Sequence, residues 1–61
     1  MKIYCAPHNE QPNIFRTYRE IAVADIQSEK RISELEAANL LLDSSEDNPI
    51  HLKDVDYWIE S

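Results

Sequence analysis

Glycine is absent from all 61 residues of the sequence, and only one cysteine, one tryptophan and three prolines occur. Each scarcity excludes something. Without glycine there is no glycine-rich phosphate loop and no dinucleotide-binding fingerprint, because both need positive φ or close backbone approach. One cysteine cannot form a disulfide within the chain, which fits a reducing, cytoplasmic setting. No apolar run approaches the roughly 20 residues that span a bilayer, and Met1-Lys2 leads into no signal-like stretch, so no membrane partner is expected. Basic residues are few as well: six Lys and Arg stand against twelve Asp and Glu, a net charge of -6. Direct nucleic-acid binding is therefore not expected, since phosphate contacts need clustered Lys and Arg.

The length allows a single small domain. A chain of about 60 residues hides only about 60% of its unfolded surface, so its core is marginal without bridges, metal or a partner. Self-association is the simplest source of further burial, and a homodimer is expected.

The longest continuous signal lies in the middle. Residues 13–42 contain neither proline nor glycine, and good helix formers dominate their second half. Apolar residues at Ile14, Tyr18, Ile21, Ile32, Leu35 and Leu42 follow a heptad register that continues through Asn39. That pattern predicts one long helix over 13–42 whose seam pairs with a second copy. Asp25 and Ser28 interrupt the seam, so a break near residues 25–28 is the alternative. Thr17-x-x-Glu20 has the form of a capping box. Asp25 on an apolar stripe needs a partner, such as Arg19 or Lys30 of a facing helix. Asn39 is either a register-fixing polar residue or the wet end of the seam.

The flanks are shorter. Pro7 and Pro12 make residues 1–12 an extended arm; Lys2-Ile3-Tyr4-Cys5 suits a strand, but nothing obvious pairs with it. Residues 43–48 (DSSEDN) form an acidic connection. Asn48-Pro49 then resembles a helix start, and Leu52, Val55, Trp58 and Ile59 fall at helical spacing, which predicts a short helix over 49–60. Val, Tyr, Trp and Ile also favour sheet, so a strand over Val55 to Ile59 is the alternative. The expected architecture is all-α: a helical hairpin with an N-terminal arm, dimerised as a coiled coil, with Trp58 in its core.

Chemistry-bearing residues are sparse. Cys5 and His8 have the spacing of half a zinc site, but His51 stands alone and no second cysteine exists, so a partly buried thiol beside a loop histidine is the plainer reading. No nucleophile, base and orienting group line up, and neither an enzyme nor a cofactor is expected. Charge is uneven. Residues 1–33 carry five basic and four acidic side chains, whereas residues 34–61 carry one basic and eight acidic. Glu46, Asp47, Asp54 and Asp56 are then either a solvated face or a surface for a basic partner protein. The segment Ser28 to Leu42 (SEKRISELEAANLLL) resembles helical segments of small early accessory proteins of lambdoid bacteriophages. That resemblance implies a non-enzymatic protein that modulates host or phage functions by binding in the bacterial cytoplasm. The rival readings are a small metal module on Cys5 and His8, and an acidic nucleic-acid mimic that blocks a basic groove.

Overall fold

The computed structural model describes all residues 1–61 and shows an α+β fold, which overturns the all-α hairpin and its coiled coil. The elements are β1 (Lys2–Pro7), a 3-10 turn (His8–Glu10), β2 (Phe15–Thr17), α1 (Arg19–Lys30), α2 (Glu34–Leu42), β3 (Ile50–His51) and β4 (Val55–Glu60). The four strands form one antiparallel sheet in the order β2-β1-β4-β3.

The arm expected over residues 1–12 is in fact an inner strand. β1 pairs with β4 along its whole length, from Lys2 opposite Glu60 to Pro7 opposite Val55. On its other side Ile3, Tyr4 and Cys5 face Thr17, Arg16 and Phe15 of β2. The short helix expected over 49–60 is the β3–β4 hairpin instead, closed by the Leu52 N–H donating to the Val55 carbonyl at 2.9 Å. The alternation of β4 explains this outcome. Tyr57 is buried in the main core with Val55 and Ile59 packed at its margin, while Asp56, Trp58 and Glu60 take the other face. As a helix, the segment would spread those groups around its circumference.

The long helix expected over 13–42 also fails, and at a place other than residues 25–28. Ile14 and Tyr18 lie outside any helix, and Thr17 ends β2 instead of capping α1, whose N-cap is Tyr18. α1 stops at Arg31, a left-handed residue with φ 55° and ψ 49°. α2 begins at Ser33, where a capping box forms: Ser33 Oγ accepts from the Glu36 N–H at 3.1 Å, and Glu36 Oε1 accepts from the Ser33 N–H at 3.3 Å. The break lets both helices lie on one sheet face. They bury Ala22, Val23 and Ile26 from α1 with Ala37, Ala38 and Leu41 from α2, against Ile3, Ile50, Leu52 and Tyr57. The heptad seam is therefore not the packing face within the chain. Ile21, Leu35, Asn39 and Leu42 are exposed, and Ile32 alone packs at the core margin.

Two polar contacts tie the layers together. The Tyr57 hydroxyl donates to Asp25 Oδ2 at 2.7 Å, so Asp25 is satisfied by the sheet and not by Arg19 or Lys30. Burial first, then the Asp25 hydrogen bond and charge, push the Tyr57 phenol above its ordinary pKa. Buried Ser44 donates to the Leu41 carbonyl at 2.6 Å and accepts from the Ile59 N–H at 3.2 Å, joining the end of α2 to β4. Trp58 is buried, as expected of it, but on the face away from the helices, where it stacks on Tyr4 with centroids 5.9 Å apart.

These placements reverse the ranking a coiled-coil seam would impose. Leu35→Glu should move stability by no more than about 0.5 kcal/mol, whereas Ile26→Ala, which empties a fully buried site, should cost about 2–5 kcal/mol. Denaturant melts of the two variants check this, and a Leu35→Glu loss as large as that of Ile26→Ala counts against the packing. Arg31→Gly should raise stability by about 0.5–1 kcal/mol, because glycine takes the left-handed region without a Cβ penalty; an unchanged or lowered midpoint argues against strain there.

Candidate functional site

The titratable side chains converge where β1 meets the β3–β4 hairpin. Register alone sets up half of the cluster. His51 of β3, Asp56 of β4 and Ala6 of β1 are successive cross-strand partners, so they share the face of the sheet away from the helices. Ala6 contributes only a methyl group beside Asp56. The next-but-one residue, His8, begins the 3-10 turn, and its backbone N–H donates to the Asp54 carbonyl at 2.9 Å.

The side chains then close on one carboxylate oxygen. Asp56 Oδ1 lies 2.8 Å from His8 Nε2 and 2.7 Å from His51 Nδ1, and the two imidazole rings stack with centroids 4.8 Å apart at 23°. His8 Nδ1 faces the Lys53 carbonyl at 3.1 Å. A carbonyl and a carboxylate can only accept, so the arrangement favours the imidazolium form of His8, in which both nitrogens donate. Its pKa is accordingly raised from the ordinary 6.5: the Asp56 hydrogen bond dominates over an opposing burial effect, with help from the Lys53 carbonyl and the Asp56 and Asp54 charges. The hairpin turn is also held from the helix side, since Glu29 Oε2 accepts from the Lys53 N–H at 2.6 Å. His8 and Asp56 are mostly shielded, while 75% of the His51 side chain is exposed.

Cys5 does not join this group. It packs at the margin of the helix-facing core, and burial, assisted by the Glu10 charge, pushes its thiol above the ordinary value. A thiol so placed is a poor nucleophile near neutral pH. The Cys5/His8 pair suggested by spacing is thus replaced by His8 with His51 and Asp56. His51 was the residue that spacing missed. Its signal is the hairpin, which places residue 51 opposite residue 56 across a short connection.

The four acidic residues singled out by charge fall into two places. Glu46 and Asp47 are the exposed tip of a tight turn in which Ser45 and Asn48 exchange backbone hydrogen bonds, and Glu46 lines the same surface groove as Trp58 and Glu60. Asp54 is exposed at the β3–β4 turn, by the start of β4, and Asp56 is engaged by both histidines. Four residues of strand, about 13 Å, separate the two places. The apolar seam residues are regrouped too: Ile14, Tyr18 and Ile21 now flank the edge strand β2 together with exposed Phe15. Compared with known proteins, the chain matches no family, no curated protein and no solved structure.

The imidazolium assignment has a direct test. With chelator present, the His8 ring followed by nuclear magnetic resonance should titrate above 6.5, and Asp56→Asn should bring it back towards 6.5. A folded value above the unfolded one stabilises the protein fully below about pH 6.5, and that contribution is lost as pH rises through the folded value. A His8 midpoint at or below 6.5 would refute the assignment.

Proposed function

We propose that this chain is a non-enzymatic binding protein that acts through protein contact, first with a second copy of itself. The observation that carries the proposal is the apolar stretch around β2. Ile14, Phe15, Tyr18 and Ile21 expose between 42% and 73% of their surface within eight residues of sequence. Phe15 lies in, and the other three flank, an edge strand whose outer side pairs with nothing in the fold. Exposed apolar groups on and beside a free strand edge mark a surface that gains from being covered. The occupant proposed is a second copy, because only 12 of 61 residues are buried and a chain of this size gains most from shared burial.

Asp47 and Asp54 are the exposed acids left for a basic partner protein, with Asp56 withdrawn into the histidine cluster and Glu46 in a groove that Ile14 also lines. That division suits an accessory or regulatory protein, the role implied by the likeness of Ser28 to Leu42 to early phage proteins, working in the bacterial cytoplasm. No helix of the fold is long and apolar enough to cross a membrane.

Sedimentation at micromolar concentration should give a dimer. Tyr18→Glu and Ile21→Glu should each return the mass to the 7.1 kDa monomer. Both side chains are exposed, so circular dichroism should stay unchanged. A wild-type chain that remains monomeric up to about 100 μM overturns the proposal, because an affinity weaker than that is under about 5.5 kcal/mol of association.

A further inference from the structure

The histidine–carboxylate cluster plays no part in the apolar contact just described. We propose that His8, His51 and Asp56 form a binding site for one divalent transition-metal ion of the zinc type. One ligand atom from each of the three residues lies within 4.8 Å of the other two. A zinc ion with bonds of about 2.0–2.2 Å holds neighbouring ligands about 3.0–3.5 Å apart. The two histidine-to-carboxylate separations, 2.8 and 2.7 Å, are already close to that spacing. The distance between the histidines needs adjusting, for which the largely exposed His51 side chain has the freedom to rotate, and the Nε2 proton of His8 is released to solvent as the ion binds.

The donor set selects the ion. Two imidazoles and one carboxylate suit zinc, nickel, cobalt or iron, whereas calcium and magnesium require oxygen ligands throughout. An outer shell is already built around the first ligand. His8 Nδ1 donates to the Lys53 carbonyl at 3.1 Å, which fixes the ring with Nε2 turned to the site. Lys53 is itself held by Glu29, and Asp56 and His51 are fixed as a cross-strand pair, so the ligands stand on paired backbone and not on a free loop. Three protein ligands leave one tetrahedral position for water or for an oxygen or nitrogen of a bound molecule.

The test is calorimetric titration of zinc into the full chain after removal of metal, with cobalt(II) absorption as a second readout. One ion per chain is expected. His51→Ala should weaken binding at least ~10-fold with an unchanged circular dichroism spectrum, since His51 makes little of the fold's burial. Cys5→Ser should bind as the wild type does, and the cobalt complex should show no sulfur-to-cobalt charge-transfer band. No binding by the wild type, equal affinity in His51→Ala, or loss of binding in Cys5→Ser would each overturn the assignment.

Discussion

The structure depends on the pairing of its two ends. β1, from Lys2, and β4, to Glu60, form the inner pair of the sheet over six residue pairs, and every other element is added to that ribbon. β2 pairs onto β1, β3 pairs onto β4, and the two helices cover one face. The pairing joins residues about fifty to sixty positions apart, so it carries a loop-closure cost. Ladder hydrogen bonds repay part of it, and the burial of Ile3 and Tyr57 among Ala22, Val23, Ile26 and Leu41 repays more. On the opposite face the same register lines up Arg16, Tyr4 and Trp58 across three strands, with the guanidinium 5.6 Å from the Tyr4 ring centroid. In that row Tyr4 covers part of Trp58 on the side the helices leave open.

Non-local pairing is also why so much of the fold was hidden from sequence reasoning. Lys2 to Cys5 and Val55 to Ile59 each had strand character, but the first had no obvious partner and the second was outweighed by the helix-start form of Asn48-Pro49; the partners were each other. Helical periodicity misled in a different way. Residues 13–42 do contain helix, yet Ile21, Leu35 and Leu42 mark its outward side, and the inward side is built of alanines with Val23, Ile26 and Leu41. Small residues carry little weight in a hydrophobic pattern, though they are what allows helices to sit close on a sheet. The helix break was legible in principle. Ser33-Glu34-Leu35-Glu36 is a capping box as clear as Thr17-x-x-Glu20, and the second was used where the first was correct. Without glycine in the chain, the usual marker of a helix end was missing, and Arg31 takes the left-handed position in its place.

The candidate site inherits its visibility from the fold. His8 was legible as a chemically interesting residue, but spacing attached it to Cys5 because the two are near in sequence. Strand alternation separates them. Cys5 lies on the helix side with the core, while Ala6, Asp56 and His51 line the other face just beside the turn that carries His8. Asp56 changes meaning in the same step. On a helix it was one more solvated acid; between two imidazoles it is the acceptor around which the cluster is organised.

The sheet order also decides how the two proposed surfaces relate. The apolar stretch borders β2 at one edge, and the histidine cluster borders β3 at the other, with β1 and β4 between them. Three strand spacings, about 14 Å, separate those edges. A copy docked on β2 therefore does not cover the cluster, and an ion at the cluster does not block docking. What the two share is the β1–β4 ribbon. The cluster joins the turn after β1 to β3 and β4, so an ion there favours the closed ribbon over any state in which the chain ends separate. β2 hangs on that same ribbon through Ile3, Tyr4 and Cys5. The proposed metal and the proposed dimer would thereby be linked through the stability of one strand pair, each favouring the other only to the extent that opening of that pair is populated.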